Sequence, residues 1–135
     1  MIIPSDLIKL DYNLSTDILS VEWPDIHTYT LSEVKATLTE VVKTIRYYDV
    51  KRLLIDSKST VISISQEEYV ALSTEFSLEL LKTRLEKLAR IESENSARES
   101  LVEEMTRGNS TPIAFRNFTT KEEALIWLEA GLFRR

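Results

Sequence analysis

The 135-residue sequence has no cysteine, one histidine, two glycines and three prolines. Without cysteine there can be no disulfide, thiolate nucleophile, iron–sulfur cluster or cysteine-ligated zinc, and a lone imidazole cannot supply a histidine cluster for a metal. The glycines, Gly108 and Gly131, are far apart. A Walker loop or dinucleotide fingerprint needs several glycines together so that backbone amides can approach phosphate. No metal or cofactor is therefore expected. Basic charge is also short: 17 Lys and Arg stand against 22 Asp and Glu, a formal net charge of −5, and the basic residues are scattered. Nucleic-acid binding needs a clustered basic stripe, so no nucleic acid is expected as a partner. Nowhere do about 18 uncharged apolar residues run together, which argues against an integral membrane segment. The start, Met1 to Asp6, has neither a basic region nor an apolar stretch of signal-peptide length. A cytoplasmic protein is expected, and the Asn-x-Ser/Thr triplets at Asn13, Asn109 and Asn117 then read as chance matches.

What is abundant is apolar bulk. Leu, Ile, Val and Phe supply 42 of the 135 residues, well above the roughly 20% below which chains stay disordered. Length and the lack of a linker point to one domain over 1–135. Leu7 to Tyr12 and Asp17 to Trp23 are β-rich runs joined by a short polar link and read as a hairpin. Pro24 stops the second run. Thr30 followed by Glu33 is a capping-box start for a helix whose Leu31, Val34, Leu38, Val41, Val42 and Ile45 recur at steps of three and four. Lys51 to Ser57 is a continuous apolar run with polar ends, the pattern of a central parallel strand buried on both faces.

Ser65 and Glu68 repeat the capping-box spacing and open a second helix with Tyr69, Leu72, Phe76 and Leu80 on one stripe. Between Leu78 and Ile91 there is no Gly or Pro, so one long helix competes with a helix end plus a strand at Lys87 to Ile91; βα alternation favours the strand. From Glu79 to Arg107, seven acidic and six basic residues read as a mixed-sign solvated face. A third helix is expected over Asn95 to Met105, with Ala97, Leu101, Val102 and Met105 inward and Gly108 as its cap. A strand follows over Pro112 to Phe118. Thr119 and Thr120 with Glu122 and Glu123 begin a last helix, closed by Gly131. The order β-β-α-β-α-β-α-β-α predicts an α/β domain with helices packed on a mostly parallel sheet and an N-terminal antiparallel hairpin.

Few residues offer chemistry. His27, in the loop before the first helix, reads first as a surface or partly packed histidine. The pairs Glu67-Glu68, Glu103-Glu104 and Glu122-Glu123 are adjacent on helices and point about 100° apart, so they cannot work as facing acid and base. Trp23 and Trp127 read as core or rim. No nucleophile has a base beside it, so no catalytic residue and no enzyme is expected. Topology singles out one place, because open α/β sheets bind ligands or partners outside the carboxyl ends of parallel strands. There the central strand ends in Asp56, Ser57, Lys58, Ser59 and Thr60, shortly before Ser63 and the helix start at Ser65. A phosphoserine would suit that helix end, while Ser65 as a plain N-cap needs no modification and is the simpler reading.

The strand Leu53 to Ser57, the Ser/Thr-rich loop, the helix at Ser65 and the ending Phe118-Thr119-Thr120-Lys121-Glu122-Glu123-Ala124-Leu125-Ile126-Trp127-Leu128 resemble the STAS superfamily, the anti-sigma-factor-antagonist fold, and within it the SpoIIAA-like branch. The resemblance runs from about Leu7 to Leu128. It implies a regulatory module that binds a protein partner and is phosphorylated on a serine at the start of the helix after the central strand. Here that region holds Ser57, Ser59, Thr60, Ser63 and Ser65, but the Asp-Ser-Ser-Gly stretch of the antagonists is replaced by Val61-Ile62-Ser63-Ile64-Ser65. The branch is also grouped with Sec14-type lipid-binding domains. The expected function is thus a non-enzymatic interaction module with a protein partner, and the alternative is a carrier or sensor of a small apolar or acyl ligand near Tyr69 and Phe76. A homodimer through an edge strand or helix fits either.

Overall fold

The computed structural model describes residues 1–6, 8–22, 30–56, 65–92, 99–100, 102–103 and 112–130. Six strands form one sheet in the order β1-β2-β3-β4-β5-β6, so every strand lies beside its neighbour in sequence. β2 (Lys9–Asn13) and β3 (Ile18–Glu22) are the expected hairpin. Asn13 shapes its turn, its Oδ1 accepting from the amides of Ser15 at 3.0 Å and Thr16 at 3.3 Å. Asp17 closes the turn at φ 54°, a left-handed position more often given to glycine. One element adds to the expected order: β1 (Ile2–Ile3) pairs antiparallel with β2, and the Met1 amine donates to the Tyr12 carbonyl at 2.9 Å. Two isoleucines before Pro4 are too short a run to show a period.

From β3 onward the sheet is parallel. β3 pairs with β4 (Arg52–Asp56), β4 with β5 (Lys87–Ile91) and β5 with β6 (Ala114–Phe118). β4 is central as expected, with Leu53, Leu54 and Ile55 all buried because both faces are covered. Toward one face, α1 (Leu31–Tyr48) and α2 (Gln66–Leu81) enclose the main core around Leu10, Leu19, Val41, Ile45, Leu53 and Leu88. Toward the other, α3 (Lys121–Glu129) covers Ile18, Leu54, Ala89, Ile91 and Phe118 with Ala124 and Leu128. Residues 99, 100, 102 and 103 are helical and Val102 is buried. The rest of the helix expected over 95–105 lies outside the described residues, as do Gly108 and Gly131.

The helix starts follow from local chemistry. Thr30 and Ser65 are N-caps in complete capping boxes with Glu33 and Glu68, and Thr120 caps α3 through the Glu123 amide. On α1 the buried set is Val34, Thr37, Val41, Val42, Thr44 and Ile45, with Leu31 and Leu38 only half-buried. Two threonines can be inside because each hydroxyl donates to a carbonyl one turn back, Thr37 to Glu33 at 2.7 Å and Thr44 to Glu40 at 2.8 Å. α1 ends on Asp49, again left-handed at φ 55°.

Candidate functional site

The carboxyl ends of β3 to β6 and the N-termini of α1, α2 and α3 all lie at one end of the sheet, as right-handed βα connections require. This end is acidic. Glu22 ends β3 directly opposite Asp56 of β4, Glu92 follows β5, and the helix first turns hold Glu33, Glu67, Glu68, Glu122 and Glu123. Glu22, Glu67, Glu92, Glu122 and Glu123 are exposed. Lys9, across from Glu22, and Lys121, beside Glu122, are cations of the same end, while Lys51, Arg52, Arg84 and Lys87 stand with Asp17 and Asp49 around the starts of β4 and β5 at the other.

Of the residues expected to form the surface, the structure describes two. Asp56 is half-buried at the end of β4, and Ser65 is exposed at the start of α2. Ser57, Lys58, Ser59, Thr60 and Ser63 lie outside the described residues, as do His27 and Trp23. Ser65 is fully used as a cap: its Oγ accepts from the Glu68 amide at 3.1 Å, and the Ser65 amide donates to the Glu68 carboxylate at 2.9 Å. Glu67 and Glu68 already complement the positive helix end, so a phosphate on Ser65 would meet carboxylates there.

Behind this rim lies a buried cluster that the sequence pattern did not reveal. Arg90, one residue from the end of β5, is only 7% exposed. Its neighbours in register are Ile55 and Asn117, so it projects to the α1/α2 face. Both guanidinium nitrogens donate to Glu99, one to each carboxylate oxygen, with Nη2 to Oε2 at 2.8 Å, and Nη1 also reaches Asn117 Oδ1 at 3.3 Å. Burial by itself would push the guanidinium pKa down. Hydrogen bonds and charge from Glu99 and Tyr69 outweigh that and raise it, so Arg90 stays a fixed cation. The mixed-sign solvated face expected over 79–107 is thus corrected at Arg90 and Glu99, which form an ion pair whose side chains are 9% and 18% exposed. The available signal was an arginine inside the apolar strand Lys87-Leu88-Ala89-Arg90-Ile91, where an interior charge requires a partner.

The amino end of the sheet is tied by a second network. Tyr12 Oη donates to Asp17 at 2.6 Å, and the same carboxylate takes the Lys51 amide at 3.3 Å and lies 3.8 Å from Arg52. Asp49 accepts from Lys51 Nζ at 3.0 Å and Arg84 at 3.1 Å. Burial, then Asp17, pushes the Tyr12 hydroxyl up to about 12. Near the carrier candidates, Phe76 is half-buried and packs on the main core. A cleft of about 330 Å³ lies at the other side of the sheet, lined by Ile2, Ile3, Pro4, Ser5 and Ile8 among others. Trp127 is half-buried against Phe118, ring centroids 5.7 Å apart. Among the described residues no three His, Asp or Glu side chains converge as a metal site, and no helix is long and apolar enough to cross a membrane.

A six-stranded α/β sheet in sequential order with helices on both faces is, among the described residues, the architecture of a SpoIIAA-like fold. The chain is similar in structure to an uncharacterized protein of the DUF3478 family from Shewanella loihica PV-4, itself described as having a SpoIIAA-like fold, with a TM-score of 0.57, 16% identity, and coverage of 93% of this chain and 98% of that one. No protein-family model and no curated protein matches the sequence.

Proposed function

We propose that the protein is a non-enzymatic regulatory module that binds a protein partner through the carboxyl end of its parallel strands, around Asp56 to Ser65. The observation that carries this reading is the concentration of exposed carboxylates there, Glu22, Glu67, Glu92, Glu122 and Glu123 beside Asp56, on a SpoIIAA-like fold. A partner complementary to that rim presents a basic surface, and its association slows as salt screens the attraction. Phosphorylation of Ser65 is not required, since the capping box uses its hydroxyl and the first-turn glutamates oppose an added phosphate. The carrier of an apolar ligand remains the second reading, and the packing of Phe76 against the core gives it no support.

The test is affinity capture from the native host, followed by binding of the purified partner to wild type, Glu67→Lys with Glu22→Lys, and Ser65→Glu. The charge reversals are expected to weaken binding at least tenfold at low salt while the variant stays folded by circular dichroism, with only the small stability loss of a reversed helix-end charge and of Lys9 facing a second lysine. Equal affinity for the reversed variant would overturn the reading.

A further inference from the structure

The sheet has two edges of unequal quality. β1 offers two residues, whereas β6 offers five, and among the described residues no strand pairs with its outer side. Ala114 donates to Glu86 and Phe118 accepts from Glu92, so these residues aim at β5. By the alternation of a strand, the amides and carbonyls of Phe115 and Asn117 aim away from the sheet. Edges are usually blunted by proline, a bulge, or a charge set along the rim. β6 has no proline, and its one charge, Arg116, lies over the Phe118 ring at 5.2 Å instead of standing off the edge. Phe115, 38% exposed, leaves an aromatic ring beside the free backbone groups.

We infer that β6 is a self-association strand: two copies of this chain pair their β6 strands antiparallel, centred on Phe115, into one continuous twelve-stranded sheet. Side-chain chemistry selects the register. Centring the two-fold axis on Phe115 sets Phe115 against the partner's Phe115, an aromatic cross-strand pair, and Arg116 against the partner's Ala114. Centring it on Arg116 would oppose two like charges. The favoured register also brings Arg116 to the C-terminal end of the partner's α3. That end stands over the Ala114 end of β6, because Lys87, in register with Ala114, donates to the carbonyls of Trp127 at 2.9 Å and Ala130 at 3.2 Å. Lys87 already meets two carbonyls of that end, and Arg116 of the second copy would add a counter-charge for Glu129 in the last turn of α3, which holds no basic residue of its own. An isologous contact of this kind closes on itself and stops at two.

The natural absence of cysteine makes the test clean. Directly opposed residues in a hydrogen-bonded antiparallel pair have Cα atoms about 5.5 Å apart, inside the roughly 4.4–6.8 Å span of a disulfide. Under mild oxidation Phe115→Cys should become a covalent dimer several-fold faster than Arg116→Cys or Leu14→Cys, the last a collisional control at an exposed turn position. Sedimentation of the wild type should give twice the 15.6 kDa of one chain at micromolar concentration, and Phe115→Lys should give one folded chain with an unchanged circular dichroism spectrum and a melting temperature that no longer depends on concentration. A wild type that stays monomeric without a Phe115→Cys cross-link overturns the inference. So does a dimer that survives Phe115→Lys, or one in which Arg116→Cys cross-links fastest.

Discussion

Glu99→Ala is expected to be among the most damaging single substitutions at any surface-adjacent position of this protein. Arg90 is held in the sheet by β5 on both sides of its sequence, with Ala89 and Ile91 buried, so the guanidinium cannot follow the lost carboxylate out to water. Asn117 Oδ1, 3.3 Å away, and the Tyr69 side chain remain as partners, but neither supplies the full counter-charge that Glu99 does. Removing one partner of a buried ion pair typically costs about 3–5 kcal/mol. For a domain with a total stability of roughly 5–15 kcal/mol, that is a large fraction. At about 3–4 °C per kcal/mol for a chain of this size, the melting temperature should fall by roughly 9–20 °C.

Denaturant unfolding followed by circular dichroism measures this directly, provided the m-value is unchanged. The double variant Arg90→Met/Glu99→Leu removes both partners. With both charges gone, its stability should lie within about 2 kcal/mol of wild type, because the desolvation cost disappears along with the attraction. A loss below about 1 kcal/mol for Glu99→Ala would mean that water reaches the guanidinium and would refute the assignment of the pair as buried. A double variant no better than the single one would refute the ion pair as the cause.

Four further outcomes follow from the same structure. Tyr12 has a raised folded pKa of about 12, so its contribution is complete below the ordinary value of 10 and is lost as pH climbs from 10 to about 12. Tyr12→Phe should remove this loss of unfolding free energy between pH 10 and about 12, and parallel curves would refute the Asp17 environment. Thr30→Ala and Ser65→Ala each remove a capping box and should each cost about 1 kcal/mol by urea melts, with a neutral result at either denying that cap. Lys87→Met should lower stability by about 1–2 kcal/mol, because Lys87 Nζ is bonded to the Trp127 and Ala130 carbonyls and lies 5.0 Å from the Trp127 ring; an unchanged midpoint would deny that it anchors α3. Thr16 has a buried hydroxyl without a hydrogen-bond partner, so Thr16→Val should be neutral or stabilising by up to about 1 kcal/mol, and a clear loss would reveal an unseen partner.

The parts of the fold legible in the sequence are those set by neighbours in the chain. The boxes Thr30/Glu33 and Ser65/Glu68 are local geometry, and both form. The apolar run at Leu53 to Ile55 needs two covered faces, and β4 has them. Choosing a strand over a longer helix at Lys87 to Ile91 is correct because parallel βα alternation left a gap there. What was hidden depends on pairings across the chain. β1 exists only through its contact with β2. Arg90 and Glu99 sit on different elements, and in the sequence each looks like one more charge of a solvated face. The scarcity of glycine misleads in another way. Left-handed turns are still needed at the hairpin and after α1, and Asp17 and Asp49 adopt them, held by bonds to Tyr12, Lys51 and Arg84. Of the candidate surface, Asp56 and Ser65 fall at the expected end of the sheet, while an acidic rim drawn from several helices could be seen only once the fold had brought them together.

The two ends of the sheet differ in which charged groups they gather, and that difference bears on where binding can act. At the amino end, Asp17 and Asp49 join the hairpin, the end of α1, the start of β4 and the segment before β5 through several mutually reinforcing contacts. Shifting any one of these groups breaks bonds to others. At the carboxyl end, among the described residues, the 99–103 segment is fastened to the sheet by Arg90 and Glu99 and by the burial of Val102. The exposed carboxylates around it repel one another and gain when a cationic surface arrives. A basic partner therefore lowers the electrostatic energy of the carboxyl end and leaves untouched the Asp17–Asp49 network at the amino end. Binding and folding stability then respond differently: substitutions in the Asp17–Asp49 network should change the midpoint of unfolding without changing partner affinity, and charge reversals on the acidic rim should lower affinity strongly while costing stability only the small helix-end contribution.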